Sequence, residues 1–404
     1  MRTTGKARRY TLTVVGAALA AIILSVLCVF IGLPVLTKQS HRHRVAVATG
    51  EANHDATAGV PALKADARDL LQTIVTAHLE QEIAPDRNVL YCATFQLAWN
   101  ELCDYFGCEI HMPDEHPMVA VLNKRAITSM DLDPNSYIAL AGINSDEFFL
   151  HAEQMLKGRF GPRASPILLD IARDQAPRNY WITYAYLFKE LRFRYPFDRL
   201  PEPLFFGQSP VQCFGFGPPG RRSVVAGWAL SQVRICDFVG EDDFIVSLSL
   251  ESSEDRLYLA KVAPLARLDQ TIESVMARIR EPQFRHVVPR TMKVPLLNFD
   301  LMRSFTELLG KPLRLTNPDR EEAPFVIARQ RIRFRFDEKG AVLLSEALGA
   351  GGGLPDDPPK PKDLIFDRPF LIMLAREGTA NPYFVLWVAN AELLEPALNA
   401  SRMR

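Results

Sequence analysis

A long apolar stretch near the N-terminus constrains this chain more than any other feature of its sequence. Residues 14–36 form 23 consecutive positions without a charged side chain, and about 20 such residues let a helix cross the hydrocarbon of a bilayer. A cleaved signal peptide has a shorter apolar run and a small-residue exit, which Leu33-Pro34-Val35-Leu36 does not offer. The sequence predicts an uncleaved transmembrane anchor, with a signal peptide as the alternative. Leu27 before Cys28 disfavours a lipoprotein.

The charges around this stretch predict its orientation. Basic residues precede it at Arg2, Lys6, Arg8 and Arg9 and follow it at Lys38, Arg42 and Arg44. Because positive charge is enriched on the cytoplasmic side, residues 1–13 are expected inside and the body outside the cytoplasm, in the periplasm or the extracellular space. Residues 37–64 are polar and rich in Ala, Thr and Gly, which predicts a flexible tether. Its histidines are interpreted as solvated rather than metal-bound: His41, His43 and His54.

The rest of the chain has the composition of a globular protein. Of 404 residues, 48% are hydrophobic and 23% are charged, which excludes a disordered chain or a long coiled coil. The 47 basic and 47 acidic side chains cancel, so no overall charge directs the chain to nucleic acid. Six cysteines are too few for a disulfide scaffold. We expect a monomeric body over residues 65–397 and a short tail at 398–404.

Apolar periodicity predicts helices and strands in an irregular order. A helical spacing occurs over residues 66–82, 95–106 and 268–279. Apolar or alternating runs predict strands at residues 180–193, within 234–250 on both sides of Gly240, and at 326–336, 371–374 and 383–388. Because strands and helices do not alternate regularly, the predicted fold class is α+β rather than a doubly wound parallel sheet.

A G-x-G-x-x-G pattern occurs at residues 215–220. Such a loop binds a pyrophosphate through backbone N–H groups at the start of a helix. Pro218 and Pro219 have no N–H to donate. The pattern is interpreted as a Gly/Pro turn, and no cofactor is predicted.

A C-x4-C-x2-H-x4-H pattern occurs at Cys103, Cys108, His111 and His116. Zinc uses four ligands of these types, but this spacing matches no common zinc module. A disulfide is the more frequent outcome outside the cytoplasm, and packed core thiols are the other alternative. No metal site is predicted. Since the sequence also lacks a nucleophile elbow, H-E-x-x-H and a P-loop lysine, no catalytic residues are predicted either.

Four arginines alternate along one predicted strand, at Arg329, Arg331, Arg333 and Arg335. Alternate residues of a strand share one face. This row could bind a polyanion or an acidic partner. The alternative, which the sequence favours, is a solvated face balanced by Asp and Glu neighbours.

A Gly- and Pro-rich segment at residues 349–362 lies between two strong strands. It combines a flexible glycine tract with an extended proline run. Long loops between strands are commonly functional. The segment is interpreted as an exposed recognition or cleavage loop.

The flanks of this loop resemble the serpin family. Leu364-Ile-Phe366-Asp-Arg368-Pro369-Phe370-Leu-Ile-Met-Leu374 is similar to the C-terminal serpin signature. Phe336-Asp-Glu338-Lys339-Gly340 resembles the hinge at the start of the reactive loop. Weaker similarities follow the family's order at residues 88–98, 182–197, 288–310 and 383–390, so that the resemblance covers about residues 65–397. It implies one domain of three sheets with surrounding helices. It also implies a reactive loop, at about 340–363, that inhibits serine or cysteine peptidases by being cleaved and then inserting into a sheet.

The residues after the hinge depart from the family in part. Ala341, Ser345 and Ala347 are small enough to enter a packed sheet. Leu343 is bulky where the family prefers alanine, and overpacking typically costs about 1–3 kcal/mol.

The cleavage position and one covering helix also depart from the family. By family spacing the cleaved bond follows Leu354, but Pro355 comes next, and most serine proteases cleave poorly before proline. The short span between Asn88 and Trp181 predicts that a helix over the large sheet is missing or reduced.

The sequence therefore predicts a membrane-tethered, serpin-like body that is not an enzyme. Its predicted partners are the lipid bilayer, through the N-terminal helix, and a target protease that cleaves the loop. The second hypothesis is a non-inhibitory binding or scaffold protein that docks a polyanion or an acidic partner through the arginine row. A third is a degenerate relative whose chemistry lies between Cys103 and His116.

Overall fold

A computed structural model describes residues 61–112, 116–164, 166–178, 180–217, 229–281, 287–315, 324–340, 360–379 and 381–397. The predicted anchor and most of the predicted tether lie outside these ranges. So do the loop residues Ala341, Leu343, Ser345, Ala347, Leu354 and Pro355. In the described part of the chain, no helix is long and apolar enough to span a membrane.

The described residues form strands, helices and short 3-10 turns. The strands are β1 (Leu63–Asp66), β2 (Thr73–Thr76), β3 (Asn88–Cys92), β4 (Ile110–His111), β5 (Tyr137–Ile143), β6 (Trp181–Leu187), β7 (Asp198–Arg199), β8 (Leu204–Phe206), β9 (Ser209–Val211), β10 (Cys213–Phe216), β11 (Val233–Gly240), β12 (Asp243–Leu248), β13 (Asp255–Lys261), β14 (Val287–Pro295), β15 (Leu297–Ser304), β16 (Arg314–Leu315), β17 (Arg329–Phe336), β18 (Lys360–Ile365), β19 (Phe370–Arg376) and β20 (Phe384–Val388). The helices are α1 (Thr94–Phe106), α2 (Pro117–Asn123), α3 (Asp146–Phe160), α4 (Ile167–Gln175) and α5 (Leu268–Arg280). The 3-10 turns are Ser129–Asp131, Gly161–Arg163, Thr306–Leu308 and Ala391–Leu393.

A seven-stranded sheet contains much of the core. Its order is β11-β12-β13-β19-β20-β3-β2, and only β2 and β3 pair in parallel. The strands β3, β19 and β20 are buried along nearly their whole length. Burial on both faces accounts for their continuous apolar sequence, which lacks the alternation of a half-exposed strand.

Two smaller sheets, β1-β15-β17 and β5-β6, are separate from each other in the described residues. We refer to these two sheets together as the interrupted sheet. Helix α1 packs across β5, β6 and β17, so that the two groups lie side by side on one helix. No strand ladder joins β6 to β17 in the described residues; an isolated bridge between Arg192 and Gly340 connects the chain beyond their ends.

A four-stranded sheet has the order β18-β14-β10-β7 and contains the first glycine of the G-x-G-x-x-G pattern. Gly215 lies within β10 and has φ of +147°. A Cβ at this position would lie 1.9 Å from the Met292 carbonyl oxygen on β14. Gly215 therefore permits close strand pairing rather than starting a phosphate-binding helix.

Helices cover both faces of β5 and β6. On one face, α3 and α4 pack in a buried cluster with β5 and β6 that comprises Ile138, Phe149, Ala152, Leu156, Phe160, Leu169, Ile182 and Tyr184. On the other face, the Thr183 hydroxyl donates to the Ala98 carbonyl of α1 at 2.7 Å. The expectation that one covering helix is missing or reduced stays a prediction, and the helix that packs over β5 and β6 is α3, of 15 residues. Its apolar side chains recur at helical spacing, which chain length alone does not reveal.

The main elements follow the predicted periodicity, with one error. Helices α1 and α5 and strands β6, β11, β12, β17, β19 and β20 are confirmed, and the body is a mixed α/β structure with several sheets. The predicted helix over residues 66–82 is wrong, since β2 lies there and β1 ends at Asp66. Leu71 is 84% exposed, so its helical spacing to other apolar residues marks no buried face. Thr73-Ile-Val-Thr76 is a β-branched run, which favours a strand.

Candidate functional site at the loop base

The chain turns sharply where β17 ends and the loop begins. The buried Asp337 carboxylate accepts hydrogen bonds from Arg335 Nε at 2.6 Å and from the Lys339 backbone N–H at 2.9 Å. The Gly340 N–H donates to the Asp337 carbonyl at 3.1 Å. An Asp side chain bonded to the backbone two residues on stabilises such a turn.

The predicted hinge residues Glu338, Lys339 and Gly340 contact the chain that follows β6. Phe193 N–H donates to the Lys339 carbonyl at 3.2 Å, and Phe197 N–H donates to the Glu338 carbonyl at 2.7 Å. Gly340 has φ of +62°, and a Cβ there would lie 2.3 Å from Phe193 N. Glycine is required at 340 for both its backbone conformation and the space it leaves.

An aromatic cluster lies beneath the hinge. The ring centroids of Phe193 and Phe197 are 4.9 Å apart, and those of Phe214 and Phe336 are 5.1 Å apart. Phe197 and Phe214 connect the two pairs at 5.7 Å. All four rings are buried. Tilted and edge-to-face packing of this kind stabilises a fixed geometry, so the hinge rests on a well-packed base.

Arg199 joins the hinge to the C-terminal segment of the body. Its Nε lies 3.2 Å from Glu338 Oε2, and its Nη1 donates to Gln212 Oε1 at 3.1 Å. Its Nη2 lies 3.6 Å from Oε2 of Glu395, which is too long for a hydrogen bond. Two backbone hydrogen bonds fix Glu395. Its N–H donates to the Leu296 carbonyl at 2.8 Å, and its carbonyl accepts from the Gln212 N–H at 2.8 Å.

Glu395 is a buried carboxyl without a hydrogen-bond donor on Oε2 in the described structure. Burial raises the pKa of Glu395 above its ordinary value. Arg199 and Arg335 act in the opposite direction, and the nearby carboxylates of Asp337 and Glu338 raise the pKa further. The loop base therefore holds one more carboxylate than its two arginines balance.

The far end of the loop returns as the edge strand β18. Arg290 of β14 binds the Asp363 carboxylate through two nitrogens, Nε at 2.9 Å and Nη2. This hydrogen bonding lowers the pKa of Asp363. The loop is thus held at two separate places, by the hinge on the interrupted sheet and by an ion pair on the four-stranded sheet.

The predicted family-signature residues lie where β18 crosses to β19. Phe366 and Phe370 are fully buried with ring centroids 5.1 Å apart. Between them, Asp367 binds the buried Lys261 ammonium at 2.7 Å. Arg368 is 66% exposed and, with Pro369, lines an open groove of about 570 Å³. The signature residues therefore connect the two sheets, and Lys261 supplies a charge contact that the sequence analysis did not anticipate.

The arginine row divides into paired and unpaired members. Arg331 binds Asp300 through Nε at 2.7 Å and Nη2 at 2.5 Å, and Arg335 binds Asp337. Within the described ranges, no carboxylate lies in salt-bridge distance of Arg329 or Arg333. The balanced-face interpretation holds for two of the four arginines.

The cysteine and histidine residues of the C-x4-C-x2-H-x4-H pattern have separate roles. Cys103 is a buried free thiol and Cys108 is a half-buried free thiol, so the two do not form a disulfide bond. Burial raises the pKa of Cys103. His116 caps α2, its Nδ1 accepting from the Met118 N–H at 3.3 Å. Among the described residues, no three His, Cys, Asp or Glu side chains gather as metal ligands.

Comparison with known proteins identifies no family for this chain. No protein-family model matches the chain, and no curated protein matches it either. The predicted hinge residues lie in the turn after β17, whereas Arg199, Gln212 and Glu395 come from distant parts of the chain and carried no sequence signal. Residues 182–197 gave a partial signal, since they include the phenylalanines that the hinge contacts.

Proposed function

We propose that this protein is a membrane-tethered, serpin-like molecule whose loop at about 340–363 is a bait for a serine or cysteine protease. After cleavage, the loop inserts between β6 and β17. The supporting observation is the interrupted sheet, because its two inner edges carry no ladder in the described part and the hinge lies at the end of one of them.

Insertion has a clear physical driving force. Strand edges present backbone N–H and C=O groups that gain a partner when a strand is added. The flanking strands have similar lengths, 7 residues in β6 and 8 in β17, so one new strand pairs with both. On this reading Ala341, Ser345 and Ala347 face the core, and Leu343 opposes insertion through overpacking.

The proposal is tested by cutting the loop. The full chain, in detergent micelles, is nicked between Gly349 and Asp363 with a broad-specificity protease, and thermal unfolding of cut and intact protein is compared. Insertion is expected to raise Tm by roughly 10 °C, equivalent to a few kcal/mol. An unchanged or lower Tm of the cut chain contradicts insertion.

Two loop variants make this test specific. Ser345→Arg places a charge on the face that enters the core, so the cut variant is expected to show no rise in Tm. Glu346→Arg changes the neighbouring residue on the opposite face, and the rise is expected to persist. If both variants behave alike, the gain in Tm does not come from strand insertion.

Inhibition itself requires a trapped protease. Candidate serine and cysteine proteases are mixed with the intact protein and analysed for a covalent complex that survives denaturation.

Leu343 and Pro355 favour the second candidate function, a non-inhibitory binding or scaffold protein. That function is supported if the cut loop gives no stabilisation and no protease is trapped.

A further inference from the structure

One face of the β1-β15-β17 sheet carries the arginine row together with part of β1. Lys64, Asp300 and Arg333 lie in register across the three strands. We call this surface the arginine face; it consists of Lys64, Asp66, Asp300, Arg329, Arg331, Arg333 and Arg335. Neighbouring strands are about 4.8 Å apart, so Lys64 and Arg333 are separated by roughly 10 Å.

Each carboxylate of the arginine face is already bound by an arginine. Both oxygens of Asp300 accept from Arg331, at 2.7 and 2.5 Å. Both oxygens of Asp66 accept from Arg68, each at 3.0 Å. Lys64, Arg329 and Arg333 remain, and no carboxylate of the described ranges pairs with them. Arg333 and Lys64 are also exposed to solvent.

The same sheet receives the chain from the predicted anchor. β1 is the first described strand and pairs with β15, so the tether enters the body at the arginine face. Residues 37–62 separate the apolar stretch from β1, 26 residues in all. A flexible chain of this length has a typical end-to-end distance of roughly 28 Å. With residues 37–62 of the predicted tether between them, the arginine face would meet the bilayer surface at high effective concentration.

We propose that the arginine face docks onto the anionic lipid headgroups of the membrane that holds the N-terminal segment. The inference rests on the membrane tethering proposed above. Each basic side chain near an anionic surface strengthens binding about five-fold. Three such side chains give weak binding from free solution, but the tether makes weak binding sufficient. Docking turns the β1-β15-β17 sheet toward the membrane and sets the orientation of the body.

The test measures how fast arginines react in the native protein. The full chain is inserted through its own N-terminal segment into nanodiscs of phosphatidylcholine, with or without 30% phosphatidylserine. An arginine-specific reagent is added, and modification is measured by peptide mass spectrometry. Arg329 and Arg333 are expected to react at least five-fold more slowly in the anionic discs, and to recover in 1 M salt. Arg234 on β11 and Arg280 on α5 are exposed internal controls whose rates stay constant.

A pair of matched variants separates specific docking from general attraction. In Arg329→Gln/Arg333→Gln, protection of Lys64 from an amine-acylating reagent by anionic discs is expected to disappear. In Arg234→Gln/Arg280→Gln, which loses the same charge elsewhere, protection of Lys64 is expected to persist. Thermal unfolding of both variants confirms that they are folded. Equal reaction rates in the two disc types, or equal protection of all four arginines, overturns the proposal.

Failure of the anchor can be distinguished from failure of docking. If the chain does not stay with neutral discs, the tethering is wrong, and co-sedimentation with phosphatidylserine vesicles then tests the face alone. Co-sedimentation that the arginine-face variant loses and the control variant keeps supports docking. Absence of co-sedimentation overturns it.

Discussion

The two large sheets of the body differ in whether they are complete. The seven-stranded sheet has an unbroken order from β11 to β2, and β3 and β20 are buried at every position. The interrupted sheet leaves β6 and β17 without a common ladder in the described residues. β17 alternates between a mostly buried row, Gln330, Ile332, Phe334 and Phe336, and a row of half-buried or exposed arginines.

This difference indicates where the molecule can change at low cost. In a complete sheet, moving one strand breaks two ladders and opens a buried core, so opening approaches the cost of global unfolding. In the interrupted sheet, β6 and β17 each have an edge without a ladder partner among the described residues, and the hinge and the Arg290–Asp363 ion pair hold the loop at its ends. Conformational change is therefore expected between β6 and β17.

The largest expected effect comes from opening a cavity in the complete sheet. Phe370→Ala removes a fully buried ring that packs on Phe366, and such truncations typically cost about 3–5 kcal/mol. Phe334→Ala on β17 is the matched change in the interrupted sheet, where the side chain is only half-buried, so a smaller loss is expected. Urea unfolding measures both. An equal or larger loss for Phe334→Ala contradicts the comparison.

A glycine pair sharpens the same comparison at the turns of the two sheets. Gly340→Ala combines a φ of +62° with a Cβ only 2.3 Å from Phe193 N, so we expect a loss of about 2–3 kcal/mol. Gly378→Ala, in the turn after β19, has a φ of +79° but no atom within 4 Å, and strain alone predicts about 1 kcal/mol.

Amide hydrogen exchange shows where the structure of Gly340→Ala is destabilised. In Gly340→Ala, the amides of Phe193 and Phe197 are expected to exchange faster, because their acceptors are the hinge carbonyls of Lys339 and Glu338. In Gly378→Ala these amides are expected to be unaffected. Similar stability losses with no change at Phe193 would show that the hinge does not depend on the close approach.

Local pattern predicted those elements whose sequence matches their burial. The alternation of β17 and the apolar runs of β19 and β20 are direct consequences of which faces are buried. The helix predicted over residues 66–82 was wrong because the exposed Leu71 counts toward a helical period as much as a buried leucine does. The β-branched run of β2 was the local signal for a strand, and pairing with β3 stabilises it.

The candidate site was predictable only where one segment carries it. The hinge lies within one stretch of sequence, whereas Arg199 and Glu395 reach it from segments that are distant in the chain. Sequence placed the four arginines on one face, but the pairing of Arg331 with Asp300 depends on the register between β15 and β17. Contacts set by tertiary register cannot be read from one sequence.

The smallest expected effect concerns the buried carboxyl at the loop base. Since burial raises the pKa of Glu395, its contribution to stability is present below the unfolded-state pKa and is lost as pH rises through the folded-state pKa. Glu395→Gln removes this loss and is expected to stabilise the protein by about 1 kcal/mol at pH 7. Arg199 keeps Glu338 and Gln212 as partners in the variant.

The pH dependence of the stability difference between wild type and Glu395→Gln shows whether burial of the Glu395 carboxylate causes it. As pH falls from 7 toward 4, wild type and Glu395→Gln are expected to converge in free energy of unfolding, because Glu395 becomes protonated. Glu377→Gln, an exposed position beside Arg256 in the complete sheet, is the control, with an expected change below about 0.5 kcal/mol. A Glu395→Gln variant that is less stable at pH 7, and that recovers on acidification, would mean that attraction to Arg199 outweighs burial. The loop base would then be held by an ion pair, as β18 is, and the difference between the two sheets would lie in their strand ladders alone.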